Sequence, residues 1–408
     1  MNILVLNCGS STLKFQLLSA EAVALAPAMF NKLAQGIIDK IGDRANLEFR
    51  TERGAVLREE IEVADHEDAT HVVLRWIESS GLLQPEGVGA VGHRVVHGAD
   101  RFVEPTLIDA GVIEVLEATS SLAPLHNGPA LGAIRGTQAA LGPDVPMVAV
   151  FDTAFHSSLP DRTSRYAVSL ELADKHHIRR YGFHGIAHRY MTERYAAITA
   201  KPMERVRLIT LQLGNGCSAT AVDKGRSVDT SMGFTPLEGL MMGTRCGDAD
   251  PSLAGFLARR EGVDITEVEN WLNTRSGLLG VSGRSRDMRE LLDAERRGDA
   301  RAALAVDMFC YRVRKYIGAY LAVLGGADAI VFGGGIGENS ADIRARICSG
   351  MAWCGIILDP DRNKAAVGSE ALITKDSAGV HAYVIPVDEA VIIAQDTICC
   401  LNSGSRRV

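Results

Sequence analysis

The chain has 408 residues, 47% of them hydrophobic, and its formal net charge at pH 7 is -7. This length can bury more than one hydrophobic core, which favours two or three domains. Acidic and basic residues are interspersed without a basic stripe, so nucleic acid is not expected as a partner. Apolar runs fall short of the roughly eighteen residues that a membrane-spanning helix needs, so no membrane association is expected.

Cysteine usage favours a reducing compartment. The eight cysteines form no C-x-x-C pair, and the amino terminus lacks the charged region and long apolar core of a signal peptide. A cytoplasmic protein with free thiols is therefore expected.

The first predicted element is a strand that ends in a phosphate-binding loop. Residues 3–6 are apolar, residues 7–12 read NCGSST, and Lys14 lies in the apolar segment that follows. Small residues let backbone N–H groups approach an anion, hydroxyls donate to oxygen, and the lysine adds a point charge. The pattern predicts two strands around a phosphate cradle, although an ordinary Gly/Ser turn has the same composition.

The strand predicted within residues 91–98 carries Arg94 between His93 and His97. A buried arginine is costly unless an anion meets it, so Arg94 is expected to bind a ligand anion or to form a structural ion pair. The two histidines have a helical metal spacing, but β-branched neighbours favour a strand and argue against a metal there.

Polar residues also mark the ends of the next three apolar elements. Residues 122–130 predict a helix entry in which His126 faces an anion or caps the helix together with Asn127. Asp152 follows a buried strand, where a carboxylate needs a metal, a donor or a cation unless it only caps a turn. His184 lies in a glycine-bounded turn, as a satisfied core histidine or as a functional donor.

A second strand, glycine-rich loop and strand follow at residues 208–222, which read LITLQLGNGCSATAV. Neither this copy nor the first contains the G-x-x-x-x-G-K-[ST] of a Walker A loop. One such loop in each half of the chain predicts two related domains facing each other across a cleft.

Three further segments complete the candidate site. Residues 229–252 form a long segment rich in Gly, Thr and Met that holds Arg245, which with Arg94 would make a two-arginine clamp. Residues 331–340 predict a strand, a glycine run that admits a nucleotide, and a helix beginning near Ala341. Asp388 and Glu389 stand at a helix start, where they bind Mg²⁺ or cap the helix dipole.

Strand and helix patterns are mixed along the chain, which predicts an α/β fold with a domain boundary near residues 151–160. The apolar runs read as strands are residues 145–150, 208–213, 330–332 and 383–385. The clearest helix-period segments are residues 69–77, 303–324 and 390–398.

From residue 1 to at least residue 396, these motifs resemble the acetate kinase family of the actin-like ATPase and sugar kinase superfamily. The matching motifs are NCGSSTLK, GHRVVHG, APLHN, FDTAFH, YGFHG, GNG, DTSMGFTPLEGLMMGTR, GGIGENS and IP-x-x-E. The resemblance implies reversible phosphoryl transfer from ATP to acetate, giving acetyl phosphate and ADP. It also implies a homodimer that requires Mg²⁺, with Mn²⁺ as a substitute.

The fold implied by the resemblance has two related actin-like, or ribonuclease H-like, domains of mixed sheet and flanking helices around a central cleft. The N-terminal domain would span residues 1–152, with the C-terminal helix at residues 388–408 crossing back to it. The nucleotide-binding domain would span residues 153–387.

The resemblance also implies a role for each matched residue. The metal site would contain Asn7 and Glu389, and the catalytic residues would be Asp152, His184 and Arg245. Arg94 would hold the acyl carboxylate beside His126 and a pocket lined by Val96, Leu125, Phe183 and Pro236. The nucleotide site would contain Lys14, Gln212, Leu213, Gly214, Asn215, Gly216, Asp287, Met288, Arg289, Gly335, Ile336, Gly337, Glu338 and Asn339.

The chemistry of phosphoryl transfer suits this set of residues. Two arginines, a histidine donor and Mg²⁺ can spread over the oxygens of the transferred group. A carboxylate acceptor is already ionised at neutral pH, so Asp152 is expected to act mainly through Mg²⁺ and its waters rather than as a proton abstractor.

The sequence departs from the family pattern at two positions. Gln212 stands where the phosphate loop H-L-G-N-G has histidine, so this side chain can donate to phosphate but cannot become cationic. Asp388 adds a carboxylate in the motif that usually reads I-P-T-N-E-E, which leaves the metal assignment to Glu389 less direct.

Three other functions are compatible with parts of the pattern. Propionate kinase shares the phosphoryl machinery, but Val96 favours acetate because propionate enzymes often have alanine there. A switch-like ATPase of the same superfamily would not need the acyl-site arginines. A sugar kinase would need a more polar pocket.

Overall fold

The computed structural model describes residues 1–21, 29–83, 87–119 and 124–404. It divides into two compact units, one formed by Met1–Ala154 with Asp388–Val408 and the other by Phe155–Val387. No helix within the described ranges is long and apolar enough to cross a membrane.

The first unit is built around an eight-stranded sheet in the order β5-β4-β3-β2-β1-β6-β8-β7. Its strands are β1 (Asn2–Cys8), β2 (Thr12–Glu21), β3 (Met29–Asp39), β4 (Arg44–Thr51), β5 (Val56–Glu62), β6 (Ala90–Val95), β7 (Thr106–Leu107) and β8 (Met147–Phe151). Its first three helices are α1 (His66–Ser79), α2 (Ala110–Thr119) and α3 (Pro124–Leu141).

The second unit is built around a six-stranded sheet in the order β11-β10-β9-β12-β14-β13. Its strands are β9 (Arg207–Leu213), β10 (Cys217–Asp223), β11 (Arg226–Thr230), β12 (Ala329–Gly333), β13 (Ala371–Leu372) and β14 (His381–Val384). Its helices are α4 (Asp161–Ser164), α5 (Leu170–Lys175), α6 (Gly185–Thr199), α7 (Ser252–Glu261), α8 (Ile265–Thr274), α9 (Gly277–Ser282), α10 (Met288–Arg296), α11 (Ala300–Leu324), α12 (Gly334–Asn339), α13 (Ala341–Cys348) and α14 (Pro360–Ala365). The last helix, α15 (Glu389–Gly404), belongs to the first unit.

Both sheets contain the same five-stranded arrangement. In the first unit, β3, β2 and β1 are antiparallel neighbours, and β1, β6 and β8 are parallel. In the second unit, β11, β10 and β9 repeat the antiparallel part, and β9, β12 and β14 repeat the parallel part. The prediction of an α/β fold with two related mixed-sheet units is confirmed.

The central strands are buried on both faces because helices cover the sheets. Residues 3–6 of β1 are at most 2% exposed, and β12 is buried throughout. In the first unit, the rings of Phe15, Phe49 and Trp76 pack in edge-to-face and tilted arrangements with centroids 5.1 to 5.8 Å apart. The candidate residues lie at the carboxyl ends of these tightly packed strands, which hold them in fixed positions.

Two local predictions were wrong in detail. Asn127 does not cap a helix entry, because α3 begins at Pro124 and places Asn127 within its first turns. Instead, Asn127 Oδ1 accepts from the His97 N–H and Asn127 Nδ2 donates to the His97 carbonyl. The glycine run after β12 is not an open loop, since residues 334–339 form α12 directly before α13.

Candidate active site

In the first unit, parallel strands bring four polar residues together at one sheet edge. Asn7 on β1 lies opposite Arg94 on β6, and Asp152 directly follows β8. Glu389 is the first residue of α15, which packs against β1, β6 and β8. Because these strands are parallel, their carboxyl ends meet at the same edge.

Arg94 connects these residues through three of its nitrogens. Its Nε donates to Asp152 Oδ1 at 3.0 Å and its Nη2 to Asp152 Oδ2 at 2.5 Å. Its Nη1 donates to Asn7 Oδ1 at 2.8 Å, and Asn7 Nδ2 donates to Glu389 Oε2 at 2.8 Å. A guanidinium has five N–H groups, so two remain for a ligand after these bonds.

The charges of this cluster stabilise one another in a buried environment. Asp152 is fully buried and the Arg94 side chain is 14% exposed. Burial alone would lower the pKa of Arg94, but the carboxylates of Asp152 and Glu389 outweigh it and raise the pKa. Burial raises the pKa of Glu389, aided by Asp152 and opposed by Arg94 and Lys14.

The donor set fits a hard divalent cation. Asp152, Glu389 and Asn7 supply carboxylate and amide oxygens, which Mg²⁺ prefers. The described residues contain no group of three or more His, Cys, Asp or Glu side chains suited to a metal. Mg²⁺ usually keeps several waters and binds one or two carboxylates, so a small protein ligand set is compatible with it.

Asp388, the additional carboxylate, is engaged elsewhere in the first unit. Its Oδ1 accepts from Gln16 Nε2 at 3.1 Å and its Oδ2 from Lys32 Nζ at 3.4 Å. Its neighbour Glu389, by contrast, accepts a hydrogen bond from Asn7 Nδ2. The contacts therefore favour Glu389 over Asp388 as the metal ligand.

The first predicted cradle is the turn between β1 and β2. Lys14 is exposed and lies opposite Asn7 in the antiparallel pair. His66, which the sequence analysis did not single out, binds the Gly9 carbonyl through Nε2 at 2.9 Å. Its position at the start of α1 gave no signal of this contact, because the two residues are far apart in the sequence.

In the second unit, His184 and Arg245 converge on the glycine loop between β9 and β10. A Cβ placed on Gly216 would lie 3.3 Å from His184 Cε1 and 3.8 Å from Arg245 Nη1. Arg245 Nη1 donates to the Pro236 carbonyl at 3.2 Å, and burial lowers the pKa of Arg245. A histidine and a poorly solvated cation therefore border a loop in which Gly214 and Gly216 have no side chain to block an anion.

Gln212 and α12 lie next to the same loop. Gln212 on β9 lies opposite Gly333, and a Cβ on Gly334, whose φ is +75°, would lie 2.6 Å from the Leu213 carbonyl. Only glycine suits that backbone conformation at so close an approach. Among the described residues, buried Gln212 Oε1 has no hydrogen-bond partner.

Glu338 fixes the glycine run that begins α12. Its Oε1 accepts from the Gly334 N–H at 2.8 Å and from the Val387 N–H at 3.0 Å. Buried Arg344 donates to the Gly337 and Glu338 carbonyls at 2.8 and 3.0 Å. The rest of the predicted set, Gly335, Ile336 and Asn339, lies on this same short helix.

The remaining predicted nucleotide residues begin α10. Asp287 caps this helix by accepting from the Arg289 N–H at 2.8 Å, and it also forms an ion pair with the Arg289 side chain. Arg289 is 89% exposed, whereas Met288 is 4% exposed. Because the Met288 side chain is buried, this residue is suited to meet a ligand only through its backbone.

The acyl pocket remains a prediction. Val96 and Phe183 are buried at 4% and 1% exposure, in the first and second unit respectively. Leu125 and His126 begin α3, but their side chains lie outside the described part of the chain.

Comparisons with known proteins identify the family of this chain. Residues 2–395 match the model of the acetokinase family. An acetate kinase from Chloroherpeton thalassium is 46% identical over 98% of this chain and 99% of its own length. The crystal structure of Porphyromonas gingivalis acetate kinase superposes with a TM-score of 0.89 at 40% identity, covering 98% of this chain and 99% of that one. The crystal structure of a propionate kinase from Francisella tularensis also superposes with a TM-score of 0.89 at 40% identity, covering 98% of this chain and 99% of that one.

The fold, the charged site and these matches define a phosphotransferase that uses a carboxyl group as the acceptor. More particularly, the chain belongs to the acetokinase family.

Proposed function

We propose that this chain transfers a phosphoryl group reversibly from ATP to acetate, giving acetyl phosphate and ADP, with Mg²⁺ as the metal. The observation that supports this function best is the cluster of Arg94, Asp152, Asn7 and Glu389. It combines oxygen ligands for a hard cation with an arginine that keeps two N–H groups for a carboxylate.

Each residue then has a role that fits its contacts. Arg94 holds the acetate carboxylate, and Asp152 orients Arg94 by binding two of its nitrogens. His184 and Arg245 donate to the oxygens of the phosphoryl group as charge redistributes among them. The loop at residues 214–216, with Gln212 and α12, receives the nucleotide, together with Lys14 and residues 287–289.

Asn7 and Glu389 would hold the metal. Mg²⁺, when bound, would neutralise charge on the phosphate oxygens. Acetate is ionised at neutral pH, so the reaction does not need Asp152 to abstract a proton. We assign Asp152 to orienting Arg94 and to the water shell of the metal.

The acyl pocket proposed for acetate contains Val96, Leu125, Phe183 and Pro236, with His126 nearby. Propionate kinase activity is the second candidate, because a propionate kinase structure is as similar to this chain as an acetate kinase structure. Val96 supports acetate as the better substrate, since its two methyl groups leave less room than alanine.

We further propose that the two compact units are the two predicted domains and that the protein is a cytoplasmic homodimer. The eight free cysteines support a reducing compartment. Dimerisation rests on the family resemblance, and sedimentation of the purified protein tests it directly.

The deciding experiment for function is ATP turnover with Mg²⁺ and acetate, propionate or butyrate, trapping the acyl phosphate with hydroxylamine. Hydroxamate formed fastest from acetate supports the proposal. A preference for propionate would retain the mechanism and replace the substrate. ATP hydrolysis that is indifferent to every carboxylate would overturn the proposal in favour of a switch-like ATPase.

Asp152→Asn tests the role given to the carboxylate. An altered metal preference that restores part of the lost rate would support action through the metal. An unchanged metal dependence with a lost rate would contradict it.

A further inference from the structure

A buried hydrogen-bond chain in the second unit leads from Thr210 to His184. Thr210 Oγ1 lies 2.7 Å from His188 Nδ1, and His188 Nε2 lies 2.7 Å from Ser218 Oγ. Ser218 Oγ in turn lies 2.8 Å from His184 Nδ1. All three distances are typical of well-formed hydrogen bonds, so each bond has one donor and one acceptor.

The charge state of His188 limits how the protons are arranged. His188 is fully buried. Burial lowers its pKa well below the usual range, and nearby His156 and His184 lower it further. A neutral imidazole has one N–H, so one ring nitrogen of His188 donates and the other accepts.

The hydroxyl of Thr210 decides which nitrogen accepts. Its proton has two acceptors within reach, His188 Nδ1 at 2.7 Å and the Thr220 carbonyl at 3.5 Å. Hydrogen bonds of a hydroxyl are strongest at about 2.7 to 2.8 Å, so Thr210 donates to His188 Nδ1. His188 then donates through Nε2 to Ser218, whose single proton goes to His184 Nδ1.

We propose that Thr210, His188 and Ser218 are positioning residues that hold His184 as the neutral tautomer with its proton on Nε2. The Cε1 and Nε2 edge of His184 lies beside Gly216, on the side where Arg245 Nη1 also approaches. This inference rests on the proposed function for one point only, namely that the Nε2–H donates to phosphoryl oxygen.

The hydrogen-bond chain from Thr210 to His184 also opposes protonation of His184. An imidazolium would donate through Nδ1 as well, so Ser218 would have to accept from both rings and turn its own proton elsewhere. The titratable groups near His184 include His188 on α6, Arg245 on the irregular segment, and His156, whose ring lies 5.8 Å from that of His188. The positive charge of Arg245 acts in the same direction, because like charges disfavour a second cation.

Nuclear magnetic resonance of the ring nitrogens tests the tautomer directly. The full-length protein is labelled with ¹⁵N-histidine, and His184→Gln assigns the signals of His184. A protonated Nε2 and an unprotonated Nδ1 are expected at neutral pH. A proton on Nδ1, or an imidazolium at neutral pH, would overturn the inference. This readout needs no turnover, so it is independent of whether acetate is the acceptor.

Kinetics of Ser218 variants test whether the hydrogen bond from Ser218 to His184 contributes to the rate of phosphoryl transfer. Ser218→Ala is expected to lower kcat roughly 10 to 100-fold, with little change in the KM for ATP. This range is taken from residues that orient metal-binding side chains by hydrogen bonds. Ser218→Thr keeps the hydroxyl and is expected to restore most of the rate. Wild-type kcat in Ser218→Ala would contradict the proposal, and if that variant fails to fold the tautomer of the wild-type protein still decides.

Thr220→Val provides the matched control. Thr220 lies opposite Thr210 in the same buried sheet, but its hydroxyl pairs with Thr230 at 2.9 Å. The substitution Thr220→Val removes a buried hydroxyl that is not part of the hydrogen-bond chain to His184. An unchanged kcat is therefore expected. A loss equal to that of Ser218→Ala would assign the effect to sheet packing and overturn the positioning role.

Discussion

Asp152 accepts hydrogen bonds from two nitrogens of Arg94, a residue 58 positions earlier in the chain. The pair joins the ends of β6 and β8 inside the first unit. Its geometry is the planar fork that arginine offers to a carboxylate and lysine does not. Stability and the proposed activity are therefore expected to depend on the same contact.

Arg94→Gln is expected to lower the free energy of unfolding by about 3 to 5 kcal/mol, because it leaves Asp152 buried without its cation. The double variant with Asp152→Asn removes both charges and should recover much of that loss, although activity stays absent in both. Urea unfolding measures the difference. Arg135→Gln, which breaks the exposed pair with Glu117, is the control and should cost less than about 1 kcal/mol. If Arg94→Gln lowered the free energy of unfolding by no more than Arg135→Gln does, the assignment of Arg94 and Asp152 as a buried ion pair would be contradicted.

Mg²⁺ is expected to raise the melting temperature of the protein through Glu389. Binding to the folded state alone stabilises by about 2.7 kcal/mol at a hundredfold excess over Kd. Glu389→Gln should abolish this shift, and Asp388→Asn should retain it, because Asp388 is bonded to Gln16 and Lys32. A shift lost in Asp388→Asn and kept in Glu389→Gln would reverse the assignment of the metal ligand. Melting curves with and without the metal provide the readout.

Val96→Ala is expected to raise the ratio of kcat/KM for propionate to that for acetate by about tenfold or more. One methylene in such a pocket is worth about 1 to 3 kcal/mol, and the shorter side chain makes room for it. Val95→Ala creates a similar cavity one residue earlier and should leave the ratio unchanged. An unchanged ratio in Val96→Ala would remove Val96 from the acyl pocket.

His93 is expected to make the protein less stable in mild acid. Burial lowers its pKa to about 3, whereas an unfolded histidine titrates near 6.5, so between these values only the unfolded chain takes up the proton. The free energy of unfolding therefore falls as the pH decreases below about 6.5, by up to about 1.4 kcal/mol per pH unit.

Urea unfolding on either side of that pH tests this prediction. His93→Leu should lose less stability than the wild type on acidification, because the leucine binds no proton. His176→Gln removes an exposed histidine and should behave as the wild type. Equal acid sensitivity in His93→Leu would show that other groups account for the whole effect.

The strands and their polar ends could be predicted from local sequence, but the partners of those ends could not. Apolar runs followed by Asn7, Asp152 or Glu389 are local patterns, and the structure places all three at one sheet edge. That Asp152 meets Arg94 depends on strand order, which no local pattern encodes. His188 is four residues after His184, but its bonds to Ser218 and Thr210 require the pairing of β9 with β10.

The helical state of residues 334–339 was missed for a related reason. Glycine disfavours helices intrinsically, so the run predicts a loop. Buried Arg344 and the Glu338 carboxylate supply the compensating hydrogen bonds, and both depend on tertiary contacts.

The repeated strand order means that positions in the two sheets can be equated one by one. Asn7 and Gln212 are each the sixth residue of a seven-residue strand followed by a three-residue turn, and both carry amides. Their neighbours in the parallel direction differ, because Asn7 faces Arg94 whereas Gln212 faces Gly333. The two halves thus share a strand pattern but differ at this position, where one carries an arginine and the other a closely packed glycine. A Cβ at position 333 would already lie 2.7 Å from Met191 Sδ and from Val387 Cγ2, so the second sheet has no ready room for a charged side chain at the position where the first sheet carries Arg94.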